Sequence, residues 1–60
     1  MKANVRNIEF NGCQFTVWSD YIARGTFAEN EKGEVKQLIG SGYISAERTV
    51  KKAIKREFFS

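Results

Sequence analysis

The sequence predicts an α+β domain in which an antiparallel three- to four-stranded β-meander packs on one C-terminal amphipathic helix. The chain up to Gly42 is rich in β-branched and aromatic residues divided by turn signals, and the rest has a helical period. At 60 residues the chain is long enough for one domain only, residues 1–60. The expected strands cover about residues 4–10, 13–18, 22–29 and 34–40, and the expected helix about 46–58.

The dipeptide Asn11-Gly12 predicts the first hairpin. Asn-Gly accepts the two positive φ angles of a type I′ turn, which closes a two-residue loop. The expected pairs are Phe10 with Cys13, Ile8 with Phe15, Arg6 with Val17, and Val5 with Trp18. Apart from Arg6, the first three pairs are apolar, so we expect them to form the buried face of the sheet.

The second turn is expected at Ser19-Asp20-Tyr21. A three-residue loop pairs Val17 with Ala23 and adds Phe27 to the buried face. A two-residue loop is disfavoured because it places Arg24 and Thr26 on that face, where unpaired polar groups are costly.

Asn30–Gly33 predicts the third turn, before a strand near Val35–Ile39. The register of this last strand stays open, because Val35 and Ile39 share one face while Leu38 lies on the other.

Ser45 is the expected N-cap of the helix, and Glu47 suits the positive end of its dipole. The apolar stripe that follows consists of Ala46, Val50, Ala53, Ile54 and Phe58. One helix covers only one face of the sheet. We therefore expect Val5, Trp18 and Ile22 to be exposed on the other face.

Composition excludes several classes of chemistry. The chain has no histidine and one cysteine, Cys13, so it has neither an intramolecular disulfide nor a Cys/His zinc site, and it has no Ser-His or Cys-His nucleophile pair. We expect a protein that is not an enzyme and that uses no cofactor, metal or small-molecule substrate. The sequence has no apolar run typical of a signal peptide or of a membrane span, and its one thiol is unpaired. We therefore predict a cytoplasmic location without membrane association, and we expect the thiol to be buried and inert.

The positive charge is concentrated at one end of the chain. Residues 1–45 carry five basic and five acidic groups, whereas residues 46–60 carry five basic and two acidic groups, which gives the whole net charge of +3. Cations on one side of a helix suit phosphates, although such a face is also an ordinary solvated surface. The candidate nucleic-acid-binding residues are Arg48, Lys51, Lys52, Lys55, Arg56 and Arg24.

The expected exposed cluster of Val5, Trp18 and Ile22 is the second candidate surface. A tryptophan beside two aliphatic residues is typical of a contact between protein chains. Alternatively, Trp18 packs locally under the N-terminal residues, or this sheet face stacks on nucleic acid.

Gly40-Ser41-Gly42 followed by Ser45 resembles the junction between the last strand and the helix of the double-stranded-RNA-binding domain. That family has lysines where this chain has Ala46, Glu47 and Arg48. The three-strands-plus-helix architecture also resembles the arm-binding domain of phage integrases, which lays its sheet face in the DNA major groove. Neither resemblance assigns a functional residue, and a turn that lets the chain leave the sheet is the simpler interpretation of the glycines.

Taken together, the sequence predicts a small binding or regulatory module that acts through protein–protein contacts, as a homodimer or with a partner or host protein. In size it resembles the accessory proteins of phages and mobile elements. The alternative is a nucleic-acid-binding domain that uses the basic helix or the exposed sheet face.

Overall fold

Four strands pair in chain order in the computed structural model, which describes residues 2–40 and 45–59. The strands are β1 (Lys2–Phe10), β2 (Cys13–Asp20), β3 (Gly25–Glu29) and β4 (Val35–Ile39), and the helix α1 covers Glu47–Phe58. Every neighbouring pair of strands is antiparallel. The predicted α+β meander with one C-terminal helix is confirmed.

The first hairpin has the predicted turn. Asn11 and Gly12 have φ angles of 55° and 77°, and Phe10, Ile8 and Arg6 pair with the expected residues of β2. The expected pair of Val5 with Trp18 is wrong, because the register shifts between Arg6 and Ala3. Asn4, with φ 55°, lies within this β-bulge. Its side-chain amide donates to the Ser19 hydroxyl at 3.1 Å, which holds the bulge against β2.

The prediction for the second turn is wrong. β2 continues through Asp20, and β3 begins at Gly25 rather than at residue 22. The loop is formed by residues 21–24, and the Asp20 carboxylate accepts the backbone N–H groups of Ile22 at 2.9 Å and Ala23 at 3.0 Å. The carboxylate therefore closes a turn after the strand instead of lying within a shorter loop.

Because the loop lies later in the chain than expected, the residues of β3 that pair with β2 are shifted by five positions from the predicted ones. Val17 pairs with Ala28 instead of Ala23, and Trp18 pairs with Phe27. Because side chains alternate along a strand, an odd shift exchanges the two faces of β3. Ala28 therefore lies in the core, and Phe27, expected in the core, lies beside Trp18 on the opposite face.

The third turn lies where it was predicted, and Asn30 organises it. Its side-chain oxygen accepts the backbone N–H groups of Lys32 and Glu34, and Gly33 has φ 86°. In β4, Leu38 is buried, which resolves the open register. A further register shift, between Phe27 and Thr26, brings Ile39 against the core as well.

α1 lies between the two edge strands, on the face of the sheet that carries Phe15 and Val17. It approaches both β1 and β4, so the sheet curls around it. The buried cluster formed between them contains Ile8, Phe15, Val17, Ala28, Leu38, Val50, Ala53 and Ile54. Within the described residues, no helix has the length and apolar character needed to cross a membrane.

At each end of α1, basic side chains donate hydrogen bonds to backbone carbonyl groups and so attach the helix to the sheet. The N-cap is Ala46, without a side-chain cap, so the predicted Ser45 cap is wrong and the helix starts at Glu47. The Ser45 carbonyl instead accepts the Arg6 guanidinium at 2.9 Å. At the other end, Arg56 donates to the Leu38 carbonyl and Lys36 donates to the Glu57 carbonyl.

Candidate functional site

The outer face of α1 carries a stripe of cations. Arg48, Lys52 and Lys55 follow the i, i+4, i+7 spacing of one helix face, and all three are exposed. At 1.5 Å per residue the stripe is about 10 Å long. Within residues 2–40 and 45–59, no ion pair involves any of the three. We call these three residues the basic stripe.

The other three predicted cations have different surroundings. Lys51 lies at one flank of the helix and pairs with Glu47 at 3.1 Å, a partly exposed contact worth about 0.3–0.5 kcal/mol. Arg56 lies at the other flank, where it contacts Glu57 and the Leu38 carbonyl and so attaches the helix to β4. Arg24 lies in the β2–β3 loop, and its carbonyl accepts the Gln37 side chain. Lys51 therefore lies beside the basic stripe, whereas Arg56 and Arg24 lie apart from it.

An open depression of about 450 Å³ lies beside the basic stripe. Its lining consists of Phe10, Glu47, Arg48, Lys51, Lys52 and Lys55. Phe10 is half-buried, and its ring centroid lies 5.6 Å from that of Phe59, which is 44% exposed. Phe10 therefore lies beside four cations, an arrangement that offers both charge and a flat apolar surface. Its partner Phe59 lines a second depression, whose charged members are Glu31, Lys32, Glu34 and Lys36.

Phe10 and Phe59 were not among the residues predicted for this site. Phe10 was assigned to the buried face, and Phe59 follows the last residue of the apolar stripe. The one available signal is spacing, since Phe59 comes four residues after Lys55 and continues the i, i+4 series of the basic stripe. Its backbone N–H donates to the Lys55 carbonyl at 3.1 Å, which keeps it within the last turn.

The second predicted surface is only partly present. Trp18 was expected to be exposed, but it is 5% exposed, so this prediction is wrong. Its ring stacks on Phe27 with centroids 6.1 Å apart, and the Lys2 ammonium lies 4.1 Å from its centroid. Val5 and Ile22 are exposed as expected, at 56% and 84%. Ile22 lies in the β2–β3 loop rather than in a strand, next to Tyr21, which is also exposed and was not predicted.

Two further predictions concern single features. Cys13 is half-buried against the core rather than fully enclosed. Of the predicted Gly40-Ser41-Gly42 turn, Ser41 and Gly42 lie outside the described residues. Among the residues that are described, no three potential metal ligands form a cluster.

No protein-family model matches the chain, and searches of curated proteins and of solved structures find no match either. The resemblances to the double-stranded-RNA-binding domain and to the integrase arm-binding domain therefore stay predictions.

Proposed function

We propose that the protein is a small non-enzymatic module that binds nucleic acid through the outer face of α1. The observation that carries this proposal is the basic stripe, three exposed cations in line with no carboxylate partner among the described residues. Phosphate groups along a nucleic-acid backbone complement such a line, and the release of condensed counterions favours the contact.

The surroundings of the basic stripe support this function over a merely solvated face. Lys51 adds a fourth cation once its exposed pair with Glu47 opens, which costs little. The depression beside the basic stripe is concave and has Phe10 in its wall, so it offers surface for a sugar or a base next to the charges.

Salt-dependent binding tests the proposal. Three phosphate contacts predict that log K falls with log salt with a slope of about −2 for single strands and about −3 for duplexes. The measurement is fluorescence anisotropy of labelled duplex DNA, duplex RNA and single strands, at about 50 and 200 mM salt. Lys52→Gln with Lys55→Gln should weaken binding to every sequence and reduce the magnitude of this slope by about 1.5–2.

The matched control is Lys2→Gln with Arg24→Gln. Both double variants lower the net charge from +3 to +1 (3 − 2 = 1), but Lys2 and Arg24 are exposed, lie outside α1 and line neither the depression beside the basic stripe nor the one that contains Phe59. We expect the control to keep most of the affinity. Equal losses in the two variants would contradict a site on α1, and no binding of any nucleic acid at low salt would contradict the function.

A protein–protein contact, including a homodimer, is the second candidate function. The burial of Trp18 removes the aromatic anchor on which this proposal first depended. It now rests on Tyr21 and Ile22, which are 71% and 84% exposed in one loop, and on Val5, which is 56% exposed near the same end of the sheet. Tyr21 and Ile22 are neighbours in the chain, and adjacent exposed apolar side chains are typical of contact surfaces.

Light scattering after size exclusion tests the second candidate. If the β2–β3 loop makes the contact, Ile22→Glu dissociates an assembly that the wild-type protein forms at high micromolar concentration. Val35→Glu is the control, since Val35 is a 52% exposed aliphatic residue in another strand. A monomeric wild-type protein would contradict the homodimer, and an assembly unaffected by Ile22→Glu would place the contact elsewhere.

A further inference from the structure

The aromatic pair beside the basic stripe bears on which form of nucleic acid is bound. We infer that the ligand is single-stranded and that one of its bases stacks on the exposed ring of Phe59. This inference rests on the proposed function. It adds a ligand class and a residue that charge alone does not identify.

The first argument is the position of Phe59. It is the C-cap of α1 and lies four residues, or about 6 Å along the axis, beyond Lys55. A backbone that follows Arg48, Lys52 and Lys55 reaches the end of α1, where the ring of Phe59 touches that of Phe10. Phe59 itself lines a second depression, whose charged members are Glu31, Lys32, Glu34 and Lys36. Proteins that bind single strands combine a positive groove along the backbone with aromatic rings on which bases stack.

The second argument is that the ring of Phe59 is held in place although it is exposed. Its centroid lies 5.6 Å from that of Phe10 and 6.2 Å from that of Phe15, in tilted and edge-to-face geometry. One side of Phe59 thus packs on the sheet while 44% of the residue stays accessible. A ring already fixed by its neighbours loses little conformational entropy when a base stacks on it.

The third argument is the shape of the surface. α1 lies against the sheet between β1 and β4, and its flank beside Phe10 is a depression rather than a ridge. A helix that reads the base edges of B-DNA does so within the major groove, and an aromatic ring at the flank of the helix is not needed for that contact. In a duplex the bases are already stacked on one another, so Phe59 gains no partner there. A single strand offers free base faces to the ring.

The experiment compares a labelled single-stranded thymidine oligonucleotide with a duplex of equal length by anisotropy. We expect the wild-type protein to bind the single strand more tightly than the duplex. Phe59→Leu keeps an apolar side chain but removes the flat ring, and it should weaken single-strand binding by about fivefold or more. Tyr21→Leu is the control, because it removes an equally exposed ring in the remote β2–β3 loop and should leave binding unchanged.

The outcomes separate this inference from the proposed function. Equal affinity for duplex and single strand would overturn the inference, and so would wild-type affinity in Phe59→Leu. In either case the Lys52→Gln with Lys55→Gln variant still tests whether the basic stripe binds nucleic acid. If Tyr21→Leu weakens binding as much as Phe59→Leu does, the stacking site is not at Phe59. Binding to neither nucleic acid overturns both proposals. Circular dichroism of each variant confirms that the fold is retained.

Discussion

The two faces of the sheet protect their apolar residues in different ways. On the face that carries Phe15 and Val17, α1 excludes water by covering the strands. On the opposite face, which we call the open face, Trp18 is buried by Phe27 and by Lys2, whose ammonium lies over the indole. A domain this small has one helix and therefore one covered face, so the open face depends on pairwise contacts between neighbouring strands.

The largest expected effect is at the covered face. Phe15 is 2% exposed and meets Phe58 of α1 edge-to-face at 5.0 Å. Phe15→Ala removes a ring from the contact between the two layers and should cost about 3–5 kcal/mol in unfolding free energy. That loss is comparable with the whole stability of a small domain, so we expect loss of cooperative thermal unfolding by circular dichroism.

A matched truncation on the exposed surface makes the comparison quantitative. Val5→Ala also shortens an apolar side chain, but at a 56% exposed position, and should change stability by less than about 0.5 kcal/mol. If Phe15→Ala unfolded no more readily than Val5→Ala, the covered face would not be the main source of stability.

An intermediate effect is expected on the open face. Phe27→Leu keeps apolar volume beside Trp18 but ends the near-parallel stacking of the two rings, whose planes are 17° apart. We expect a loss of about 0.5–1.5 kcal/mol by chemical denaturation. Phe27→Tyr is the control, because it retains the ring and should stay close to wild type. Equal losses in both variants would show that the stacking contributes nothing.

The smallest expected effect is at the end of β2 and depends on pH. The Ala23 backbone N–H, and with it that of Ile22, holds the pKa of the Asp20 carboxyl below its ordinary value of 3.8. Because the pKa of Asp20 is lower in the folded state than in the unfolded state, the ionised carboxylate stabilises the fold fully at pH values above its unfolded pKa. This contribution is lost as pH falls through the folded pKa, so the effect is confined to acid below about pH 4.

Asp20→Asn separates this charge effect from the turn itself. Its amide oxygen still accepts the two N–H groups, so the loop is retained, but position 20 no longer titrates. We expect the variant to show a shallower fall in melting temperature than wild type between about pH 4 and pH 2. If the melting temperature fell equally in both proteins over this pH range, the Asp20 carboxylate would have no role in the pH dependence of stability.

The parts of the fold that depend on local chemistry were predictable from the sequence. Asn11-Gly12 sets its own turn and register, and the helical period after Ser45 is an extended, repeated signal. The fold class follows from these two elements together with the turn at Asn30.

The β2–β3 loop was not predictable in the same way. Ser19, Asp20 and Tyr21 indicated a loop, and Ile22 indicated the start of a strand. The structure places Ser19 and Asp20 in β2 and Ile22 in the loop, while Tyr21 lies in the loop as expected. Ser19 is 4% exposed but has a partner, since its hydroxyl donates to the Ala3 carbonyl across the bulge in β1. Gly25 has no room for a β-carbon, which would lie 2.5 Å from the Ile39 carbonyl oxygen. Both contacts join residues far apart in the chain, so no local pattern contains them.

The candidate site was predictable in part for the same reason. Helical spacing identifies Arg48, Lys52 and Lys55 as one face, but it gives no sign that Arg56 turns toward β4. The approach of Phe10 to Phe59 depends on how the helix crosses the sheet. The four-residue spacing from Lys55 to Phe59 is a local signal, but sequence position does not bring Phe10 near either residue.

The enclosed position of Trp18 has a practical consequence for spectroscopy. It is the chain's only tryptophan, and it lies on the opposite side of the sheet from α1. We therefore expect its intrinsic emission to be blue-shifted in the folded protein and to move to the red when the open face is exposed to water. A ligand on the outer face of α1 should leave the wavelength of this emission unchanged. One optical signal thus follows unfolding throughout a binding titration, without an added label on the protein.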